Sequence, residues 1–264
     1  MRPNPIKRLL REGKPTIGTW LSLGSLAATR FMARAGFDWL TVDIEHSLVN
    51  IETATHMFGA IADAGGVPLA RVPANRHDHI KRVLDNGAMG VVVPMVNTRQ
   101  EALDAVAAML YPPRGNRSVG GSLHALNFDT TAHDYYQHAN DEILVVLQCE
   151  HIQAVEEADA IFSVPGIDAI FVGPNDLAAS MRTADGKGPS GEVTTRAYRK
   201  ILETCKKYGV AAGIHCGGPE EAKLRIEEGW QFLAITSELK MMLDGAMAAL
   251  APLDKGPSAA LAKY

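Results

Sequence analysis

The chain has 264 residues, 47% of them hydrophobic and 21% charged, with a net charge of -4. That length lies close to the roughly 250 residues of a (β/α)8 barrel and supports one sizeable core, while the acidic balance leaves no basic footprint for nucleic acid or an anionic membrane. Three scattered cysteines, Cys149, Cys205 and Cys216, make no disulfide framework, the N-terminus has no secretory apolar region and no run is long enough to span a bilayer, so a reducing cytoplasm is expected.

Apolar, β-branched runs alternate with helical patterns along the sequence. The spacing predicts strands at 16–21, 39–45, 67–72, 90–96, 143–149, 169–173, 210–215 and 232–237. Helices are predicted between and after them at 25–35, 50–63, 76–86, 98–109, 151–162, 194–208, 219–228 and 239–250. Eight strand-helix units predict an α/β fold, a single TIM barrel over residues 1–264, with a loosely held tail from about 252. Asn50 ahead of Ile51-Glu52 reads as a helix cap, and Asn97-Thr98-Arg99-Gln100 has the spacing of a capping box. The regularity breaks at 110–142 and 181–193, two connections long enough to act as lids, binding loops or subunit contacts.

In a barrel of this kind chemistry belongs to the C-terminal ends of the strands. The fifth strand ends in Gln148-Cys149-Glu150 and the sixth in Gly173-Pro174-Asn175-Asp176, which puts Glu150 and Asp176 on one rim as two hard oxygen ligands for a divalent cation. The ordinary alternative is that each acid caps the helix after its strand. The second strand ends in Asp43-Ile44-Glu45-His46 and the third carries Arg71, a set that offers a titratable base beside carboxylates and a fixed cation for an anionic substrate. A purely structural acid–arginine network is the competing reading.

What is missing narrows the chemistry. None of the eight predicted strands contains a lysine, which disfavours Schiff-base catalysis, and there is no Gly-x-Ser-x-Gly elbow. Strand alternation turns Cys149 away from Gln148 and Glu150. His77-Asp78-His79 reads as a solvated helix start, and His215-Cys216 lacks a third soft ligand for a metal. His215-Cys216-Gly217-Gly218-Pro219 and Thr236-Ser237 lie where many barrels bind phosphate, but no basic residue sits immediately beside them.

Several ordered motifs resemble the HpcH/HpaI aldolase family: Gly36-Phe37-Asp38-Trp39-Leu40-Thr41-Val42-Asp43-Ile44-Glu45-His46-Ser47, Arg71-Val72-Pro73, Val93-Pro94-Met95-Val96, Tyr111-Pro112-Pro113-Arg114-Gly115 and Gly173-Pro174-Asn175-Asp176-Leu177. The resemblance runs colinearly over nearly the whole chain. It implies a metal-dependent class II pyruvate aldolase that cleaves a 4-hydroxy-2-oxo acid to pyruvate and an aldehyde. By motif it implies Glu150 and Asp176 as ligands of Mg2+, Mn2+ or Co2+, Arg71 as the pyruvate-binding cation and His46 with Asp43 as the acid/base dyad. Glu45 would hold a metal-bound water, Gln148 would line the substrate site, and Gly173, Pro174 and Asn175 would cradle the pyruvate carboxylate. A homohexamer, a trimer of dimers exchanging C-terminal helices, is also implied. The alternatives are a lyase acting on a CoA thioester, as in the citrate lyase β and malyl-CoA lyase group, and decarboxylation of a 2-oxo acid at the same metal site. Ile44, Cys149 and Ser118 depart from the family's usual residues, so the aldehyde does not transfer with the resemblance.

Overall fold

A computed structural model describes residues 1–253. In chain order the elements are α1 (Pro5–Arg11), β1 (Thr16–Leu21), α2 (Leu26–Met32), β2 (Trp39–Asp43), α3 (Ile51–Asp63), β3 (Val67–Arg71), α4 (His77–Asp85), β4 (Gly90–Val93), α5 (Arg99–Met109), α6 (Leu123–Asn127), α7 (Ala132–Glu142), β5 (Leu144–Gln148), α8 (Ile152–Glu156), α9 (Ala158–Phe162), β6 (Ala169–Val172), α10 (Pro174–Ser180), α11 (Gly191–Tyr208), β7 (Ala211–Cys216), α12 (Pro219–Glu228), β8 (Phe232–Ser237) and α13 (Glu238–Leu250). The strands pair in parallel in sequence order, and β8 returns to β1 to close the barrel. The tail expected from about 252 falls mainly on 254–264, outside the described residues.

Side-chain alternation fills the lumen in layers. At the lower layer Trp39 of β2 stacks on Phe232 of β8, ring centroids 4.2 Å apart. Gly18 of β1 makes room for it: a Cβ there would lie 2.1 Å from the Trp39 ring. Phe171 of β6 sits edge-on to Phe232 at 5.9 Å and to Trp20 of β1 at 5.6 Å, so aromatic rings floor the upper cavity. Helix α1 closes the opposite end, with Ile6 and Leu10 buried and the Lys7 ammonium bonded to the Ile143 carbonyl at 2.6 Å and to Asp168 at 2.8 Å. Burial pulls the Lys7 pKa down more strongly than Asp168 raises it.

Four expectations change in detail. Thr98, one residue later than the Asn97 start, is the N-cap of α5, and its box partner is Glu101. The strand predicted over 39–45 stops at Asp43, because the Asp43 carboxylate accepts the amides of Glu45 (3.1 Å) and His46 (3.3 Å) and bends the chain. The 110–142 connection contains α6 and α7 and is tied down by Arg117, a buried side chain that bonds Asp85 at 2.7 Å and Tyr135 Oη at 3.1 Å and lies over the Tyr111 ring at 4.5 Å. In the 181–193 connection, α10 separates the β6 end from the Gly-rich stretch.

Candidate active site

A cavity of about 650 Å³ opens at the C-terminal ends of the strands. Its polar wall begins with Arg71, the last residue of β3, which is paired in register with Asp43 at the end of β2. The guanidinium grips Asp43 with both prongs, Nε to Oδ1 at 2.9 Å and Nη2 to Oδ2 at 2.6 Å, and its Nε is 3.3 Å from Glu45 Oε2. Its flat face lies 4.6 Å from the Trp20 ring centroid. Burial opposes the charge on Arg71, and the hydrogen bonds and charges of Asp43 and Glu45 more than offset it. Asp43 therefore locks the arginine and shapes the bend that carries Glu45 and His46.

The His46 ring is exposed, with Nε2 3.7 Å from Glu45 Oε2. Asp43 meets His46 at its backbone amide. Burial pushes the Glu45 carboxyl up; Arg71 and His46 counter that, and Asp43 and Asp176 add to it. Glu45 is thus the carboxylate that stands beside both the imidazole and the guanidinium.

Glu150 is buried, and both its oxygens are fixed: Oε1 accepts the Met95 amide at 2.8 Å and Oε2 accepts Gln148 Nε2 at 2.7 Å. Met95 reaches it because its backbone takes a left-handed conformation, φ 52°, at the turn after β4. Gly173 packs against the same carboxylate, and a Cβ there would lie 2.6 Å from Glu150 Oε2. Burial pushes the Glu150 carboxyl up to about 7; the Met95 amide works against this, while the charges of Asp176 and Glu45 add to it. Asp176 lies exposed in the first turn of α10 and lines the cavity mouth. Because the first helical bond of α10 runs from the Leu177 amide to the Gly173 carbonyl at 3.0 Å, the amides of Asn175 and Asp176 precede the helical ladder and Pro174 supplies none.

Three mutually repelling carboxylates, Glu45, Glu150 and Asp176, crowd the rim, and the guanidinium that faces Glu45 and Glu150 is already engaged by Asp43. That excess of hard oxygen charge fits a divalent cation. Among the described residues no group of three or more His, Cys, Asp and Glu side chains is placed to hold a metal ion. Two rim carboxylates instead leave coordination positions for a chelating substrate, the open arrangement hard cations favour. Gln148 Oε1, buried and without a hydrogen-bond partner among the described residues, is a further acceptor beside Glu150.

Apart from His215, which strand-end position had already brought out, the other lining groups were not legible from spacing. Trp20, Phe171, His215 and Lys240 all border the cavity. Lys240 is partly exposed and holds both oxygens of Asp244 at 2.7 Å, which is not the desolvated setting of an imine-forming lysine. The phosphate reading also weakens, since the Gly217 amide is taken by the Glu221 carboxylate at 2.9 Å and an acid thereby occupies the loop.

The family model described as HpcH/HpaI aldolase/citrate lyase matches residues 16–245. The chain belongs to this family. A hydroxypyruvate/pyruvate aldolase of Paraburkholderia phytofirmans is 37% identical over 254 residues, 94% of this chain and 96% of its own length. A 4-hydroxy-2-oxo-heptane-1,7-dioate aldolase of Salmonella arizonae is 37% identical over 93% of this chain and 92% of its own. Among solved structures, an HpcH/HpaI aldolase/citrate lyase family protein of Burkholderia cenocepacia superposes with a TM-score of 0.87 at 33% identity, covering 96% of this chain and all of that one. Family membership makes the chain a carbon-carbon lyase of the aldolase type.

Proposed function

We propose that this member of the HpcH/HpaI family is a metal-dependent class II aldolase that reversibly cleaves a 4-hydroxy-2-oxo acid to pyruvate and an aldehyde. The observation that carries the metal assignment is Glu150, a buried carboxylate held by the Met95 amide and Gln148 and crowded by the charges of Asp176 and Glu45. Glu150 and Asp176 would hold Mg2+, Mn2+ or Co2+, and when bound the ion supplies Lewis-acid stabilisation of the charge that develops on the 2-oxo acid. Arg71, kept charged and rigid by Asp43 and Trp20, places a second positive charge at the same end of the substrate. The amides at the start of α10, with Gly173, Pro174 and Asn175 shaping the turn, cradle the carboxylate. Glu45 stands beside His46 and orients the base that takes the proton from the C4 hydroxyl in cleavage and returns it in addition. Asp43 supports that pair by fixing the bend.

The CoA-thioester reading has less support, because Arg71 is committed to Asp43 and, among the described residues, the other lysine or arginine bordering the cavity is Lys240, paired with Asp244. Decarboxylation of a 2-oxo acid would use the same end of the site. A homohexamer, a trimer of dimers, fits α13, whose residues after Glu238 are not buried by the described protomer. Residues 1–264 would act as one barrel unit. Three free, buried cysteines suit a reducing cytoplasm. The test is pyruvate release from a panel of 4-hydroxy-2-oxo acids, CoA thioesters and oxaloacetate, with and without chelator. Chelator-sensitive pyruvate from the hydroxy-oxo acids supports the aldolase; turnover confined to the thioesters or to oxaloacetate overturns it.

A further inference from the structure

The pairing of β1 with β8 that closes the barrel slips by one residue. Gly18 faces Ala234, but Trp20 faces Ser237, so β8 carries one extra residue over this stretch. Thr236 lies inside the bulge with φ 50°, a left-handed conformation uncommon for a β-branched residue, and its buried hydroxyl has no hydrogen-bond partner among the described residues. Side chains from both neighbouring strands hold it there. Thr19 Oγ1 donates to the Ile235 carbonyl at 2.9 Å and lies 3.4 Å from the Thr236 carbonyl, which His215 Nε2 meets at 3.0 Å. A strained residue clamped from two sides is a built feature, and bulges beside active sites re-aim the side chains that follow them.

A one-residue slip exchanges the faces of the side chains beyond it. Ser237 comes level with Trp20, and Glu238 is buried at the start of α13, where its Oε1 accepts the Leu23 amide at 2.7 Å with the Ser22 amide as a second donor. Oε2 is buried without a hydrogen-bond partner among the described residues, and the charge is met by those two amides rather than by a cation. Burying a carboxylate this way is costly, so the contact it makes has to matter. Ser22 and Leu23 follow Trp20 on the cavity wall. The Trp20 ring centroid lies 4.6 Å from the Arg71 guanidinium, and the ring meets Phe171 edge-on at 5.6 Å.

We propose that Glu238, aimed by the Thr236 bulge, is a positioning residue: it holds the segment after β1 so that the Trp20 ring stays against Arg71 at the pyruvate end of the cavity. The inference rests on the aldolase reading and adds a residue that touches neither substrate nor metal.

The experiment measures pyruvate affinity of the Mg2+-loaded full chain by calorimetry, and acrylamide quenching of tryptophan fluorescence without any ligand, in wild type, Glu238→Ala, Glu238→Gln and Thr19→Val. Trp39 and Trp230 are 0% and 1% exposed, so a rise in quenching reports on Trp20, and a Trp20→Phe background abolishes it. Glu238→Ala weakens pyruvate binding about tenfold, the scale of one lost hydrogen bond to a charged group, and raises quenching. Glu238→Gln keeps an oxygen for the two amides and binds within about twofold of wild type. Thr19→Val, which keeps the side-chain shape and removes the hydroxyl, moves both readouts the same way, with affinity down about threefold, and decides the matter if Glu238→Ala does not fold. Wild-type affinity or wild-type quenching in folded Glu238→Ala, a loss in Glu238→Gln equal to that in Glu238→Ala, or wild-type values in Thr19→Val overturns the positioning role and leaves the aldolase intact. A wild-type protein that binds no pyruvate with Mg2+ overturns the aldolase reading itself, while the quenching still shows whether Glu238 holds Trp20.

Discussion

Substituting Gly173 with alanine isolates how tightly the Glu150 carboxylate is placed. Gly173 has φ -92°, a conformation any residue adopts, so the change carries no backbone penalty and acts through contact alone. The new methyl would lie 2.6 Å from Glu150 Oε2 and 3.3 Å from Glu150 Cβ. Glu150 cannot swing aside freely, because Oε1 is held by the Met95 amide at 2.8 Å and Oε2 by Gln148 at 2.7 Å. Relief requires either an overpacked pocket, at about 1–3 kcal/mol, or loss of one hydrogen bond to a charged acceptor, at about 1.5–3 kcal/mol. Stability should therefore fall by about 1–3 kcal/mol, and displacement of the carboxylate by a fraction of an ångström to one ångström should lower kcat/KM by about 10²-fold. Urea melts and steady-state pyruvate release read the two effects. Gly188→Ala is the control, since nothing lies within 4 Å of a Cβ there. Retention of wild-type kcat/KM by a folded Gly173→Ala protein would refute the claim that Glu150 must stay where these contacts hold it.

Replacing His46 with alanine should lower kcat by ~10²-fold or more while divalent-cation affinity survives, as checked by steady-state kinetics and ion titration. Gly59, inside α3 with no neighbour within 4 Å of a Cβ, should accept alanine with a gain of about 0.5–1 kcal/mol in urea unfolding. His124 is fully buried, its ring 3.9 Å from that of Tyr135, and burial lowers its pKa from the ordinary 6.5. The folded state then binds fewer protons than the unfolded chain, so stability falls as pH drops below about 6.5 and levels off beneath the lowered folded value. His215 adds a contribution of the same sign, so melts across that window should show a shallower but not abolished slope in His124→Gln.

The barrel was legible because each strand is a short β-branched run bounded by turn residues, and Val67–Arg71, Thr16–Leu21 and Phe232–Ser237 lie where periodicity puts them. Helix α1 escaped because seven residues that bury only one face give too short a repeat. Helix α7 escaped because only Tyr135 and Ala139 of its eleven residues are buried, so its sequence reads as polar connection. At the site, strand-end position brought out Arg71, Glu150 and the turn at Asp43. It could not disclose backbone donors such as the Met95 amide, whose role depends on a left-handed turn in a residue with no special preference for one. Nor could it foresee that Asp43 spends its carboxylate on Arg71 while Glu45 stands beside the His46 ring; that division follows from where β2 ends.

The central claim is that Glu150 and Asp176 hold one divalent cation, and direct titration of chelator-treated protein with Mn2+, read by electron paramagnetic resonance, tests it most simply. The account predicts one site per chain in the wild type and its loss in both Glu150→Ala and Asp176→Ala, with the fold unchanged by circular dichroism. Wild-type Mn2+ binding in either folded variant would contradict it.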